Sequence, residues 1–258
     1  MKQTIIRERM RVELREPLLI EGFPGLGNVG KIAVSYLVKQ LQATFFAELY
    51  SPHFPYHVLV NDDGEVRLLR GELYFWRNSD PKGGDLILLT GDSQAHTLEG
   101  QYEVASTILS YVRGCGVKRL IAIGGYEALS KEEPKVIAAA TEPSLLEEFV
   151  GLGAVVGEAG NPIVGMAGIL LGLTGFYGIN GVCLLAETPG YIPDPRAARS
   201  ILKILRKILG NEISLQALDE EIVKAREALG RVEEIEKKIE TLEKTTVKAG
   251  EGKVTYIS

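Results

Sequence analysis

The chain has 258 residues, of which 45% are hydrophobic and 24% are charged, and its formal net charge is −5 at pH 7. This length can bury one large core, alone or with an appendage. The mild acidity argues against nucleic acid as a partner, because nucleic-acid binding favours Lys and Arg clustered on one face. Cys115 and Cys183 lie in separate apolar segments, which predicts two free thiols in a reducing cytoplasm.

Apolar runs of strand length alternate with helical patterns over the first part of the chain, which predicts an α/β domain with a largely buried sheet. The predicted strands are Leu18–Glu21, Phe45–Leu49, Leu86–Thr90, Leu120–Gly124, Val136–Ala140 and Val182–Ala186. The predicted helices are Val29–Gln40, Gln101–Arg113, Ser144–Val150, Pro162–Leu173 and Pro195–Leu209. Asp62-Asp63-Gly64 predicts a hairpin between 57–60 and 66–69, because Asp-Gly accepts positive φ angles. Hairpin strands mixed with βα units predict a mixed sheet in a three-layer α/β/α sandwich.

A glycine-rich loop, residues 22–31, connects the first predicted buried strand to the first helix. From Gly25 to Lys31 the spacing matches a nucleotide-binding loop of Gly, four residues, Gly and Lys. Ile32 follows where such a loop needs Ser or Thr to hold Mg²⁺, and isoleucine has no oxygen to offer a hard cation. We therefore interpret these glycines as serving tight backbone geometry and close helix–sheet packing. A phosphate-binding loop remains the alternative.

The longest uncharged stretch runs from Ala159 to Ala186, which is long enough to span a bilayer. It is interrupted by Asn161-Pro162, by Asn180 and by six glycines between 165 and 181. Asn161-Pro162 is typical of a helix start, and 174–181 is predicted to be a loop before a buried strand. No membrane is therefore expected as a partner.

Residue types that carry catalysis or bind metals are few. His53 and His57 have the spacing of a zinc-binding helix, but Pro55 between them would break that helix. Cys115 lies at the predicted end of a helix, where the dipole does not activate a thiol. With His96 alone elsewhere, no metal site and no cofactor are predicted.

Three charged residues are candidates for a ligand pocket. Asp92 and Glu187 follow predicted strands, where α/β folds usually place ligands, and Lys31 could neutralise an anion. Caps and turn contacts explain Asp92 equally well. No constellation with assigned catalytic roles is evident, so the catalytic residues are predicted to be none.

The pattern of apolar and charged residues changes after Gly210-Asn211. Large apolar residues recur mostly at steps of three and four among charged residues, which is a heptad-like pattern: Leu215, Leu218, Ile222, Leu229, Val232, Ile235, Ile239 and Leu242. A helix over 214–245 would be about 48 Å long, longer than the face of a domain of this size. Its apolar seam either folds back on its own domain or packs against other copies or a related subunit. We favour the second and predict these eight residues as an oligomer interface.

The sequence is accordingly divided into an α/β core domain (1–211), an amphipathic helical arm (212–247) and a flexible tail (248–258). The tail contains an aromatic residue and apolar neighbours on a tether rich in small residues, which suits a peptide that docks into a pocket. The predicted partner-binding residues are Val254, Tyr256, Ile257 and Ser258.

Four ordered motifs resemble the proteasome assembly chaperone family, particularly archaeal homologues of the second eukaryotic chaperone subunit. The motifs are Gly22-Phe23-Pro24-Gly25-Leu26-Gly27-Asn28-Val29-Gly30, Thr90-Gly91-Asp92, Ile123-Gly124-Gly125-Tyr126 and Ala186-Glu187-Thr188-Pro189-Gly190-Tyr191 with Pro193-Asp194-Pro195. The resemblance covers about residues 1–210. It implies a nucleoside-phosphorylase-like α/β/α fold, a cytoplasmic homo-oligomer and a non-enzymatic protein that assists or binds the proteasome α-ring or a homologous subunit.

Proteasome activators of the kind that this resemblance implies dock through a C-terminal hydrophobic residue, a penultimate tyrosine and any final residue. In this sequence Tyr256 is third from the end and Thr255 precedes it, so the motif is offset by one residue. The alternative function is a nucleotide-dependent ligase or a phosphorylase-like enzyme that uses the glycine loop at 22–31, Lys31 and Asp92.

Overall fold

The computed structural model describes residues 1–81, 83–128, 133–210, 213–220, 222 and 223. The chain divides into two compact units, Met1–Leu215 and Gln216–Ser258. All the strands and helices named in this subsection belong to the first unit.

A large mixed sheet runs through this unit. Its strands are β1 Ile5–Glu8, β2 Leu18–Glu21, β3 Thr44–Tyr50, β6 Gly71–Trp76, β7 Leu86–Gly91, β8 Arg119–Glu127, β9 Val136–Ala140, β10 Val155–Val156 and β11 Asn180–Thr188, while β4 Val58–Val60 and β5 Val66–Leu68 form a separate hairpin. The spatial order is β1-β3-β6-β7-β2-β8-β11-β9-β10. In this order, neighbouring strands from β7 to β11 are parallel, whereas β1, β3 and β6 on one side and β9 on the other pair antiparallel. The predicted mixed sheet is confirmed.

Helices of the first unit cover this sheet: α1 Val29–Gln40, α2 Leu98–Gly114, α3 Pro143–Gly151, α4 Met166–Leu173 and α5 Pro195–Leu209. The α1 helix packs beside α5, and α2 packs beside α4. Asp194 caps α5 by accepting hydrogen bonds from the amides of Arg196 and Ala197 at 3.0 and 3.2 Å. Pro195 follows in the first turn, where the missing N–H costs nothing. This cap fixes the start of α5 at the residue that the sequence predicted.

Both faces of the central strands are buried, which explains their uninterrupted apolar runs. Along β2, Leu19 belongs to the same apolar cluster as Val104 and Ile108 of α2 and Leu170 of α4. The next residue, Ile20, points to the opposite face and is equally buried. The helices therefore form layers on both sides of the sheet, as the three-layer prediction requires.

The predicted start of the fourth helix is wrong. Helix α4 begins at Met166 instead of Pro162, because Gly165 before it has a φ of +88°, which a helix cannot contain. The residues before it fold against the helix: a Cβ on Gly168 would lie 2.1 Å from the carbonyl oxygen of Ile163. Among the described residues, no helix combines the length and apolarity needed to cross a membrane.

Candidate functional site

The glycine loop joins β2 to α1 and is packed directly on the sheet. A Cβ on Gly22 would lie 2.2 Å from the Gly30 carbonyl oxygen, and one on Gly30 would lie 2.5 Å from that of Ile123. The amide of Gly22 donates to the Leu89 carbonyl at 2.9 Å, and the amide of Gly27 donates to that of Gly190 at 3.4 Å. These contacts confirm that the glycines permit close approach of backbone to backbone.

Gln94 holds this loop to both neighbouring helices. Its Nε2 donates to the Pro24 carbonyl at 2.7 Å, while its Oε1 accepts from the Met166 amide at 2.9 Å. Gln101 of α2 donates to the same Oε1 at 3.2 Å. Sequence reasoning assigned Gln94 no role, because its partners lie 70 and 72 residues away along the chain.

Asp92 follows the end of β7 and binds two arginines. Its carboxylate accepts from Arg67 at 2.5 and 3.1 Å and from the amide of Arg70 at 3.1 Å. Burial raises the pKa of Asp92, but these hydrogen bonds and the charges of Arg67 and Lys31 outweigh it and hold the pKa below its ordinary value. Asp92 therefore anchors the β4–β5 hairpin.

Glu187 lies apart from the other two candidates. It belongs to β11, and β2 and β8 separate that strand from β7, which places the two strands about 14 Å apart at the usual strand spacing. Its Oε2 accepts from the Lys135 amide at 2.9 Å. Burial and then a hydrogen bond to Glu187 raise the pKa of Tyr126. Glu187 thus fastens the segment before β9, whereas the charge of Lys31 acts on Asp92.

Glu21 is a buried carboxyl group at the end of the central strand β2 that the sequence did not single out. Its Oε1 accepts from the Phe23 amide at 3.0 Å, and Oε2 has no hydrogen-bond partner among the described residues. Burial raises the pKa of Glu21 to about 8, because an ionised carboxylate would lose its hydration there. Burial and, secondarily, Glu21 also raise the pKa of the Cys183 thiol. Glu21 therefore keeps its proton to a higher pH than an exposed glutamate does.

A hydroxyl, an imidazole and a carboxylate line up near the start of α2. His53 lies 3.3 Å from Thr97 Oγ1 through Nδ1 and 3.2 Å from Glu103 Oε2 through Nε2. Thr97 Oγ1 also accepts from the Gly100 amide at 3.0 Å, as the N-cap of α2. Glu103 in turn accepts from the Thr4 amide and hydroxyl, each at 2.5 Å. The arrangement ties the N-terminal segment, the 51–54 loop and α2 together.

No three His, Cys, Asp or Glu side chains of the described part of the chain are grouped so that they could hold a metal ion. Cys115 is half-buried, and Cys183 is fully buried. Burial is the main cause that raises the pKa of Cys115, which keeps it in the less reactive thiol form.

The predicted oligomer interface is described only at its beginning. Residues 216–220, 222 and 223 are helical. Leu215 and Leu218 are buried, and Ile222 is half-buried. The other five predicted interface residues and all four predicted tail residues lie outside the described residues: Leu229, Val232, Ile235, Ile239, Leu242, Val254, Tyr256, Ile257 and Ser258. Their roles stay predictions.

A surface that the sequence analysis missed lies on the β4–β5 hairpin. Val58 pairs with Leu68 and Val60 pairs with Val66, and all four side chains are exposed. The signal was present in the sequence, because apolar residues at every second position of two paired strands must share one face. What the sequence did not show is that nothing in the described part of the chain covers that face.

A comparison with known protein families identifies the family of this chain. The family model described as the PAC2 family matches residues 19–233, which includes the glycine loop, Asp92, Glu187 and the strands from β3 to β11. The chain belongs to the PAC2 family. This membership confirms the resemblance drawn from the four motifs.

The PAC2 chain is similar to solved structures over most of its length. It is 40% identical to Pyrococcus furiosus PbaB, described as an archaeal proteasome activator, with a TM-score of 0.86 over 90% of this chain and 100% of that one. It is 25% identical to P. furiosus PbaA, described as an archaeal homolog of proteasome-assembly chaperone, with a TM-score of 0.75 over 95% and 99% of the two chains. An uncharacterised protein of Methanocaldococcus jannaschii is 35% identical over 98% of this chain and 95% of its own.

Proposed function

We propose that this PAC2 chain is a homo-oligomeric, non-enzymatic protein that binds the proteasome α-ring or assists its assembly through its C-terminal arm and tail. The observation that carries the proposal is the similarity to PbaB, which spans the whole of that chain at 40% identity and a TM-score of 0.86. PbaB is described as a proteasome activator and PbaA as a homolog of a proteasome-assembly chaperone, so both relatives support a proteasome as the partner.

The arm supplies the proposed contact between copies. Five large apolar residues recur there at steps of three or four: Leu229, Val232, Ile235, Ile239 and Leu242. Each gains about 1.5–3 kcal/mol when it is buried, which makes an uncovered seam unfavourable in water. A helical bundle with neighbouring copies would cover the seam and leave the charged positions in solvent.

The tail supplies the proposed contact with the proteasome. Val254, Tyr256 and Ile257 offer apolar and aromatic side chains that suit a pocket, and residues 248–252 contain two glycines, a composition that is typical of flexible linkers. One such peptide binds weakly, but several copies displayed by one oligomer gain affinity from linkage when their spacing matches the target.

Deleting Tyr256–Ser258 is expected to leave the assembly intact and to weaken proteasome binding by about 100-fold, because linked weak contacts are lost together. The measurement is a pull-down titration with 20S particles from P. furiosus. The matched control deletes Gly250–Gly252, which removes the same length but keeps the docking residues. Equal binding by both deletion variants would contradict the role of the tail.

The alternative of a nucleotide-dependent enzyme has less support. Two amides of the stretch 25–31 that matches a phosphate loop, those of Gly27 and Asn28, already donate to the carbonyl groups of Gly190 and Gly25. Asp92 is held by Arg67 and Arg70. Both observations favour a structural use of these motifs.

A further inference from the structure

The outer surface of the β4–β5 hairpin is apolar and uncovered by any described residue. We define the hairpin face by four side chains with their exposed fractions: Val58 49%, Val60 69%, Val66 67% and Leu68 55%. Two cross-strand pairs therefore place a continuous aliphatic strip in solvent. Contiguous exposed strips of this kind on a soluble domain commonly mark interaction sites.

The hairpin is held firmly from its other side. Leu59 points inward and packs against the apolar cluster between the sheet and α2. Arg67, also on the inner side, makes its two hydrogen bonds to Asp92 at 2.5 and 3.1 Å. The hairpin face is thus presented by a fixed scaffold, so little conformational entropy is lost when a partner covers it.

The tip of the hairpin is strongly acidic. The turn residues 61–65 are all exposed and include three carboxylates, Asp62, Asp63 and Glu65, with no basic residue. The turn itself is fixed by a hydrogen bond of 2.9 Å from the Gly64 amide to the Asn61 carbonyl. A partner for this surface must therefore combine apolar groups with positive charge.

Exposed basic and apolar residues lie together along the outermost strand of the large sheet. Among the described strands, β1 pairs only with β3 and so has an open edge. We define the β1 edge by its exposed apolar and basic residues: Lys2, Ile5, Arg7, Met10 and Arg11. Within the described residues, none of the three basic residues of this edge forms an ion pair. The acidic Glu8 in this segment accepts a hydrogen bond from the Tyr111 hydroxyl at 2.9 Å.

We propose that the hairpin face of one copy docks on the β1 edge of the next copy, with Asp62, Asp63 and Glu65 beside Lys2, Arg7 and Arg11. The inference rests on the proposed homo-oligomer and specifies one contact within it. Two hairpin faces packed on each other are disfavoured, because neither the face nor its acidic tip offers a basic residue to the carboxylates of the other copy. The contact therefore joins two different surfaces, and such contacts close into rings when the rotation between copies allows it.

This contact works together with the arm. A stable interface buries about 800 Å² on each partner, more than a two-stranded hairpin of short strands offers. Hairpin and arm contacts in the same ring reinforce each other, so the loss of either raises the concentration needed for assembly.

Val60→Lys tests the apolar part of the contact. It is expected to raise the concentration of half-assembly by about ten-fold in sedimentation velocity, because it places a charge in the proposed interface. Val156→Lys is the matched control, since Val156 is 59% exposed on β10 at the other end of the sheet and should leave assembly unchanged. Circular dichroism of both variants reports whether they fold.

Charge reversal tests whether the acidic tip of the hairpin pairs with the basic residues of the β1 edge. Asp62→Lys/Asp63→Lys/Glu65→Lys and Lys2→Glu/Arg7→Glu/Arg11→Glu should each weaken assembly by about ten-fold, and the chain with all six changes should recover to within about three-fold of the unmodified protein. If the chain with all six changes assembles no better than either triple variant, the proposed pairing of the acidic tip with the basic edge is wrong. If the unmodified chain assembles and Val60→Lys has the same concentration of half-assembly as Val156→Lys, the hairpin contact is wrong but the proposed oligomer stands. An unmodified chain that stays monomeric overturns the proposed oligomer as well.

Discussion

Glu21→Gln is expected to stabilise the fold by an amount that grows with pH and reaches about 4 kcal/mol near pH 8. In the folded chain the pKa of Glu21 is raised from 4.5 to about 8 by burial. At pH values between these two pKa values, the unfolded chain has released this proton while the folded chain retains it. The free energy of unfolding falls by about 1.4 kcal/mol for each pH unit in that window.

The substitution Glu21→Gln isolates this titration from the packing of the site. It keeps the size of the side chain and the acceptor for the Phe23 amide, but it removes the ionisable group. Urea unfolding of both proteins at about pH 5, 6, 7 and 8 measures the effect. Glu147→Gln on the exposed side of α3 is the control. A difference between Glu21→Gln and the unmodified protein that stays constant over this range would contradict the raised pKa of Glu21.

Gly30→Ala is expected to destabilise the fold by about 3 kcal/mol, at the upper end for overpacking. The new methyl group would lie 2.5 Å from the Ile123 carbonyl oxygen and 3.0 Å from Gly22 Cα. Both atoms belong to the backbone, so no flexible side chain can move aside. Helix α1 would have to lift from β2 and β8, and the gain of about 1 kcal/mol in helix propensity does not offset that.

Gly172→Ala is the matched control for this prediction. It is the same substitution in a helix, but a Cβ at position 172 meets nothing within 4 Å. This variant should be unchanged or stabilised by up to about 1 kcal/mol. Thermal or urea unfolding compares the two, and equal stability of Gly30→Ala and Gly172→Ala would show that the glycine loop does not depend on this close packing.

The elements that the sequence predicts well are those with strong local signals. Helices α1 and α5 have the predicted bounds, as have β2 and β9. The sequence analysis did not predict β1 Ile5–Glu8, β6 Gly71–Trp76 or the short β10. The first two carry charged residues and lie in the antiparallel part of the sheet, where pairing depends on residues far away in the chain, such as Ile5 opposite Tyr50.

The candidate site was predictable only in part, for the same reason. The departure of the glycine loop from the nucleotide-binding pattern could be read from Ile32 alone. The burial of Glu21 and the bridging role of Gln94 depend on how β2, α2 and α4 come together, which no local pattern encodes. The hairpin face was encoded in the alternation of its two strands, but its exposure is a property of the whole fold.

The central claim is that the chain acts as an assembly of copies, and the mass of the particle in solution tests it most directly. Sedimentation velocity at micromolar concentration compares the full chain with a chain that ends at Val223, which keeps the buried Leu215 and Leu218 but lacks most of the arm. We expect a multiple of 28.1 kDa for the full chain and a monomer for the shortened one. A full chain that sediments as a single 28.1 kDa species would contradict the account.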